Sequence, residues 1–510
     1  MTKSKPAEKL LKEIHATHAR LDALFQRDPP AAVREARALL QSTELDATNR
    51  QMLAAGILID AGNVAHDIAA VEEGTALYRA LRQRHPSHGI DYNYANGLST
   101  LAGLSKEPPW SQPLSAKRRE ARILFAQTAA SDEALRSQAL TNEANLLRQS
   151  FRRLEAYDAF VAALQADPRN GVASSGIARV LLELVDHGLG PKILCGLANR
   201  YLGEAADAED EIVKYAGEHA LKNIRALTSR STAPPVAKQK TPSGYAGFVA
   251  THRLALSLSM ELFDPSKQFW DDLKFHSIIE PIVGTGAEIP AVFGMWNVLK
   301  ADFIAARWLA YTATEEFQET GNYHDTLDYA NYGTVQSMAV LAQRAAMDVL
   351  DKVAGFATEY LKLPGKPKQV YFHNRWHRDR KDKTMPLVWQ SEILKELGEG
   401  NPGLLALGDL ASDLLSDGPL NARTLLRHSG THRFVILHDM LGSSRASEFV
   451  EHYKQAEFKG TTIATLQMCR AALTYARELV IWRERRLAAR DPDAKRFQLQ
   501  VPPHHQIRGC

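Results

Sequence analysis

The densest set of chemically competent side chains lies in residues 423–439. Within it, Arg427 carries a permanent positive charge, and His428 and His432 titrate near neutral pH. A guanidinium can hold two phosphate oxygens at once, and an imidazole can transfer a proton. These residue types therefore suit cleavage of a phosphodiester. Arg427 and His432 are five positions apart, so on a regular helix their side chains point about 140° apart around the helix axis. A shared site therefore needs long side chains or a bend in the helix, which Gly430 favours.

Two other interpretations of this segment stay open. Arg423 and His428 repeat the same spacing one turn earlier. We prefer Arg427 and His432 because a polar residue follows Arg427 directly, whereas the residues after Arg423 resemble core sequence. An arginine and a histidine on a helix can also form a solvated face with no catalytic role.

The sequence gives little support for a metal or a cofactor. His428 and His432 lie at i, i+4, with His438 and Asp439 further on, and two histidines on one helical face can bind Zn²⁺. The glutamate of a zincin motif is missing between them. There is also no GxxxxGK[ST], GxGxxG after a strand, GxSxG or CxxC motif. We therefore expect no cofactor and no metal.

A second basic region, residues 366–383, combines seven Lys or Arg with two Asp and three interleaved aromatic residues. Cations that contact phosphates and rings that stack on bases are what RNA contact requires. The alternative is a solvated loop whose aromatic residues anchor it to the core. The residues predicted to contact RNA are Lys368, Arg375, Trp376, Arg378, Arg380 and Lys381.

Composition restricts the class of protein. The chain has 510 residues, with 45% hydrophobic and 24% charged, as in ordinary globular proteins. The net charge of +3 argues against a protein that coats nucleic acid or binds membranes through a polybasic surface. Three widely separated cysteines fit a reducing compartment. With no apolar segment resembling a signal peptide or a membrane span, we expect a cytoplasmic protein.

The elements that must position these side chains are helices. Strand-like alternation is scarce, and the fold class is predicted to be all-α. We expect a helical repeat domain over residues 1–227, a polar and Pro-rich linker over 228–244, and a helical domain over 245–510 with its core at about 290–490. Apolar residues at i, i+3 and i+4 predict helices in the last of these at 297–317, 329–361, 403–415, 422–440 and 461–490.

The N-terminal half contains a repeat of about 34 residues. Its best copy spans residues 137–170, in which small residues Ala144, Ala156 and Ala163 would let two helices approach closely. Phe160 would fill the gap to the next hairpin, and Pro168 would end the second helix. This pattern is similar to the tetratricopeptide (TPR) repeat, and it implies a TPR-like helical solenoid.

The run from Arg427 to His432 resembles the R-x4–6-H motif of HEPN domains (higher eukaryotes and prokaryotes nucleotide-binding). Members often carry a polar residue directly after the arginine, where this chain has His428. A TPR-like array followed by a C-terminal HEPN-type bundle also resembles one bacterial branch of that superfamily.

The resemblance implies a metal-independent endoribonuclease with a composite site between two HEPN domains, hence a homodimer or a larger even-numbered oligomer. Arg427 would stabilise the phosphorane, His432 would act as general base or acid, and His428 would orient the motif or contact phosphate. Such proteins tend to be toxins or antiviral effectors that cut tRNA or mRNA. The TPR array would bind a protein or peptide that regulates the nuclease, and no membrane is involved. The alternative is a non-catalytic adaptor whose degenerate HEPN bundle only dimerises.

Overall fold

The computed structural model describes most of the chain, namely residues 5–262, 270–275, 277–279, 289–314, 330–383, 385–439, 447–492 and 496–498. For a few of these only the backbone is described, at residues 5–8, 314, 331, 427–432 and 496–498. The described residues form 18 α-helices and five short strands, which confirms the predicted all-α class.

The chain divides into two units. The N-terminal unit comprises Met1–Gln149, Ala156–Glu183 and Cys195–Val236, and the C-terminal unit comprises Ser150–Glu155, Leu184–Leu194 and Ala237–Cys510. The boundary between the two units after Val236 falls inside the predicted linker. The two short segments were expected to belong to the repeat domain. They join the C-terminal unit because residues such as Arg153 pair with its buried carboxylates, here with Glu478 at 2.7 Å.

The N-terminal unit is built from successive helices joined by short connections. Its helices are α1 (Lys5–Arg27), α2 (Pro29–Gln41), α3 (Ala47–Ala65), α4 (Ile68–Arg84), α5 (His88–Leu104), α6 (Gln112–Ser131), α7 (Arg136–Gln149), α8 (Arg153–Ala166), α9 (Gly171–Asp186), α10 (Leu194–Ala206) and α11 (Glu209–Thr228). From α1 to α7 each helix contacts the next, and each odd-numbered helix also contacts the following odd-numbered one. This is the pattern of stacked helical hairpins, and the TPR assignment itself stays a prediction.

Local sequence explains these hairpins. Asp46 caps α3 by accepting from the backbone N–H groups of Thr48 and Asn49, both at 3.1 Å. At Gly74 a side chain would collide with the backbone oxygen of Ala55, so α3 and α4 approach closely only because this position is glycine. Gly74 therefore lies at a close helix–helix contact.

The predicted linker is partly packed. Asn199 on α10 donates from Nδ2 to the backbone oxygens of Ser231, at 3.2 Å, and Ala233, at 2.5 Å. The backbone N–H of Val236 donates to the oxygen of Gly196 at 3.1 Å. The first part of the Pro-rich segment is thus held against α10 within the N-terminal unit.

The C-terminal unit contains the long helices. They are α12 (Gly244–Thr251), α13 (Ala291–Thr314), α14 (Thr334–Tyr360), α15 (Ser391–Gly398), α16 (Pro402–Asp413), α17 (Asn421–His432) and α18 (Gln455–Arg490), with a 3₁₀ turn at Pro367–Gln369. The strands are β1 (Ser277–Ile279), β2 (Ala330–Asn331), β3 (Phe434–His438), β4 (Val450–Lys454) and β5 (Arg496–Gln498). β1 pairs antiparallel with β5, and β3 lies between antiparallel β2 and parallel β4.

Helix α16 is buried on every side. Asn401 caps it by accepting from the N–H of Leu404 at 3.1 Å, and Pro402 occupies the first turn. A side chain at Gly403 would meet backbone atoms of α18, and one at Gly408 would meet the ring of Trp389. These two glycines therefore set how closely α16 packs against its neighbours.

The helix predicted over residues 422–440 is wrong in its second half. α17 ends at His432, and residues 434–438 form β3, the central strand of the three-stranded sheet. The sequence there, Phe-Val-Ile-Leu-His, is a short apolar run whose periodicity does not distinguish a buried helix from a strand. The run forms a strand because it pairs with β2 and β4, which are not adjacent to it in the sequence.

We predict opposite effects for two Gly-to-Ala changes within helices of the C-terminal unit. Gly403→Ala should lower the free energy of unfolding by about 1–3 kcal/mol, because its methyl group meets the α18 backbone. Gly355→Ala, in α14, should raise it by about 0.5–1 kcal/mol, because no atom lies near the added methyl group and alanine favours helix. Urea denaturation of both variants measures this, and equal changes would contradict the close packing of α16.

Candidate functional site

Helix α17 carries the Arg-x4-His motif, and its first half is fixed to the C-terminal unit. Leu426 is buried in a cluster with Ala339 of α14, Leu437 of β3 and Phe458 of α18. The Thr424 hydroxyl donates to the backbone oxygen of Leu414 at 3.2 Å. The helix is therefore anchored before the motif begins.

The motif itself occupies the end of this helix. Arg427, His428 and His432 lie in α17, with His432 as its last residue, and their side chains lie outside the described part of the structure. The C-terminal end of a helix carries partial negative charge and favours a cation such as protonated histidine. Immediately afterwards Arg433 forms an ion pair with Glu451 of β4, and β3 begins. The backbone thus turns from helix to strand directly after His432.

The alternate register places its arginine elsewhere. The Arg423 guanidinium points to α18, donating to the backbone oxygen of Ala464 at 3.1 Å and contacting the Met468 sulfur at 3.5 Å. Burial lowers its pKa. A guanidinium held this way has a structural role, which favours Arg427 and His432 as the chemically relevant pair.

Large apolar side chains are exposed around the motif. Leu425 is 55% exposed, Phe434 73% and Phe449 71%. Phe434 and Phe449 are neighbours, since the backbone N–H of Phe434 donates to the backbone oxygen of Phe449 at 2.8 Å. We call these three residues the apolar rim. Exposed aromatic residues grouped in this way are typical of a surface that meets another protein.

Two histidines that follow the motif in the sequence interact across β3 and β4. His438 Nε2 and His452 Nδ1 lie 2.8 Å apart, and His438 is 3% exposed. One of these two nitrogens donates the hydrogen bond and the other accepts it. His438 was one of the residues considered for a metal site. Among the described residues no group of three or more His, Cys, Asp or Glu could hold a metal ion.

A buried ion cluster lies beside the start of α17. Arg152 donates to Asp409 at 3.0 Å and Asp413 at 2.5 Å, both on α16, and to Glu155 at 2.6 Å. Burial opposes the charge of Arg152, but the carboxylates outweigh it and hold its pKa well above the usual value. The Tyr475 hydroxyl of α18 contacts Glu155 at 3.3 Å. The cluster ties α16 and α18 together.

The basic region at 366–383 divides into exposed and buried residues. Lys368, Arg378 and Lys381 are exposed, and Arg378 also donates to the Ser391 hydroxyl at 3.0 Å. These three side chains remain available for RNA.

The other three predicted contacts are engaged within the protein. Trp376 is fully buried against Phe372, and Arg375 is only 7% exposed, with a pKa that burial lowers. Arg380 pairs with Asp417 at 2.8 Å. The burial of Trp376 does not fit the predicted role in base stacking and matches the alternative, in which aromatic residues anchor the loop. Because Asp417 lies between α16 and α17, Arg380 joins the basic loop to the connection that precedes the motif.

Sequence reasoning missed several residues that shape this site. His452 was not singled out, because its pairing with His438 depends on a parallel strand that the sequence did not suggest. Arg152 and its carboxylate partners Asp409 and Asp413 were also missed. The available signal was two aspartates inside the strongly apolar run at 402–413, which need a buried cation.

We predict that buried and exposed residues of the basic loop respond differently. Trp376→Ala should lower the free energy of unfolding by about 3–5 kcal/mol, because it leaves a cavity in the core. The triple change Lys368→Glu, Arg378→Glu and Lys381→Glu should leave stability nearly unchanged, weaken RNA binding and flatten its salt dependence. Binding is measured by filter retention in a His432→Ala background, so that the RNA stays intact.

The control variant replaces three exposed lysines of the N-terminal half with Glu, namely Lys9, Lys192 and Lys222. An equal loss of RNA affinity in this control would show a general charge effect and contradict a defined RNA surface on the loop.

A family model matches part of the C-terminal half of the chain. Residues 283–483, less than half of the chain, match the family model described as LA2681-like HEPN. The matched range contains α13 to most of α18, including the Arg427-x4-His432 motif. No curated protein matches the sequence. None of the described helices is both long and apolar enough to cross a membrane. The C-terminal region is therefore supported as a HEPN domain, which at the superfamily level favours a ribonuclease or nucleotide-related function.

Proposed function

We propose that this protein is a metal-independent endoribonuclease whose active site forms between two HEPN domains. The observation that carries the proposal is the HEPN match at residues 283–483, because it contains Arg427 and His432 at the end of α17. The position of Arg423 against α18 supports this register over the alternative.

The reaction uses the RNA's own nucleophile. The ribose 2′-oxygen forms a bond to the adjacent phosphorus, and the bond from phosphorus to the 5′-oxygen breaks. One His432 takes the proton of the 2′-hydroxyl, and a protonated His432 from the second subunit gives a proton to the departing oxygen. Arg427 stabilises the charge that develops on the phosphorane, and His428 orients the motif or contacts phosphate. The products carry a 2′,3′-cyclic phosphate and a 5′-hydroxyl.

Pairing of two subunits is supported by the apolar rim. Leu425, Phe434 and Phe449 flank the motif and expose more than half of their surface. Burying them against a second copy would remove apolar surface from water and bring two motifs together.

RNA binding is assigned to the exposed cations Lys368, Arg378 and Lys381. They belong to the loop that Arg380 fastens to the connection before α17. Their charges would position the phosphate backbone without reading its sequence.

In the cell, we propose that the enzyme acts as a toxin or antiviral effector that cuts tRNA or mRNA. The combination of a repeat array with an RNA-cleaving domain supports this role. The N-terminal unit would bind a protein or peptide and thereby control the nuclease.

The proposed activity predicts how substitutions in the motif change the rate of RNA cleavage. Full-length protein should cut tRNA or mRNA in EDTA, and Arg427→Ala or His432→Ala should lower the rate by about 10²–10⁴-fold. Arg433→Ala is the matched control, because this arginine adjoins the motif but pairs with Glu451. Thermal denaturation should show that all variants are folded. Gel analysis of the RNA measures the rates.

Each other outcome contradicts the proposal in a distinct way. Activity that EDTA abolishes would indicate a metal enzyme. Inactivity at every concentration and with every candidate activator would indicate the adaptor, in which the HEPN bundle only dimerises. Cleavage of a fully 2′-deoxy substrate would exclude attack by the 2′-hydroxyl.

Dimerisation is tested at the apolar rim. Phe434→Glu together with Phe449→Glu should produce monomers in analytical ultracentrifugation and remove RNA cleavage, because a charge at each position opposes burial. Val298→Glu is the control, since this valine of α13 is 51% exposed. A dimer that persists in the double variant would contradict pairing through the rim.

A further inference from the structure

The C-terminal unit contains a groove that the nuclease proposal does not use. Residues of α13 and α14 and of the loop at 362–370 line it. Its volume is about 760 Å³, which lies in the usual range of about 300–1,000 Å³ for small-molecule sites. Along α14 the lining extends over residues 351–359, or about 12 Å of helix. A groove of this size and length suits a small, elongated molecule.

The apolar part of the lining is aliphatic. No aromatic residue is among the lining residues. Gly355 of α14 also lines the groove, and no atom lies within 4 Å of the point where a side chain there would begin. The missing side chain therefore adds open space between the helices. The aliphatic residues include Met295 and Leu299 of α13 and Leu363, Pro367 and Val370 of the loop.

The charged residues of the lining balance one another. Lys352 forms an ion pair with Asp302, and Lys362 pairs with Glu359 at 2.7 Å. The Asp351 carboxylate accepts from a backbone N–H of the following loop at 2.8 Å. With two lysines and two carboxylates, the lining has no net charge. These four side chains give no preference for an anion or a cation.

A guanidinium beside the groove is not compensated in this way. Arg375 is 7% exposed, and its Nη1 lies 3.7 Å from the point where a side chain at Gly365 would begin. Gly365 and Val370, which adjoin at this point, both line the groove. Within the described part of the chain the guanidinium has no hydrogen-bond or ion-pair partner, and its Nε is buried.

The electrostatic setting of Arg375 favours a bound anion. Burial lowers the pKa of its guanidinium, and the attraction of Glu392 on α15 is too weak to offset this. A buried charge without a partner is costly, and a charge-assisted hydrogen bond to an anion removes much of that cost. An anionic group at the Gly365 end of the groove would supply the partner that the fold leaves out.

We propose that this groove binds a long-chain aliphatic carboxylate, with its chain between α13 and α14 and its carboxylate on Arg375. A guanidinium forms two parallel hydrogen bonds with a carboxylate, which would fix the head group at the Gly365 end. Burial of the chain removes methylene groups from water and supplies most of the affinity. A nucleotide suits the groove less, because its base finds no aromatic ring in the lining. The inference does not depend on nuclease activity.

The first test compares decanoate with decanol on the unaltered full-length protein by isothermal titration calorimetry. Decanoate should bind about tenfold or more tightly than decanol, because only the carboxylate can pair with the charge of Arg375. Dodecanoate should bind about tenfold more tightly than decanoate, because two more methylene groups are buried.

Two variants separate the head group from the chain. Arg375→Gln should weaken decanoate binding about tenfold or more and leave decanol binding unchanged, because it removes only the charge. Gly355→Leu should weaken the binding of both ligands, because the new side chain occupies the groove. The matched controls are Lys395→Gln and Gly460→Leu, at exposed positions outside the lining. Both controls should bind the two ligands like the unaltered protein.

Thermal denaturation without ligand shows whether the variants are folded. Arg375→Gln removes a buried charge that has no partner, and Gly355→Leu replaces a poor helix former at an open position. Neither change should lower the melting temperature by more than a few degrees. If Arg375→Gln does not fold, the comparison of decanoate with decanol still tests the head-group contact.

Four results would overturn the proposal. Decanoate does not bind, it binds no more tightly than decanol, or Arg375→Gln binds it as tightly as the unaltered protein. The fourth result is a peptide with a C-terminal leucine that binds more tightly than decanoate and depends equally on Arg375 and Gly355. The occupant would then be the C-terminus of a protein. RNA cleavage is scored separately, so failure of the nuclease proposal and failure of this one give different patterns.

Discussion

The contact on which the C-terminal unit depends most is the buried ion cluster centred on Arg152. Its guanidinium pairs with Asp409 and Asp413, two carboxylates on a helix with no exposed face. Removing one partner of such a buried pair typically costs about 3–5 kcal/mol, because the other charge stays in the interior. The backbone oxygen of Asp413 also accepts from the N–H of Leu420 at 2.9 Å, just before α17. The cluster therefore fixes both α16 and the starting point of the helix that carries the motif.

The candidate site comes shortly after α16 in the sequence, on α17. Leu426 anchors the first half of α17 in the core, and the last turn of this helix, which ends at His432, leads directly into the sheet. The exposed side chains of Phe434 and Phe449 follow the motif in the sequence. The loop that Arg380 fastens to the connection before α17 carries exposed cations. A helix anchored in the core, a surface suited to pairing and a basic loop are the parts that the proposed composite RNA-cleaving site requires.

Sequence alone predicted the helical class, most of the long helices and a HEPN-type C-terminal domain, because helical periodicity and a short polar motif are local signals. It failed where distant segments decide the structure. The strand at 434–438 depends on pairing with β4, which also creates the contact between His438 and His452. Trp376 was assigned to RNA because its neighbours are basic, but its ring is fully buried against Phe372. Arg152 was overlooked because two of its carboxylate partners, Asp409 and Asp413, lie 257 and 261 residues away in the sequence.

The central claim is that Arg427 and His432 promote attack by the ribose 2′-hydroxyl. Its most direct test is the chemical identity of the ends left on RNA cut by the full-length protein in EDTA. Phosphorus NMR of a short cleaved RNA should show a 2′,3′-cyclic phosphate, and the downstream fragment should accept phosphate from a polynucleotide kinase without prior dephosphorylation. Fragments that carry a 3′-hydroxyl and a 5′-phosphate would contradict the account, because water rather than the 2′-oxygen would then be the nucleophile.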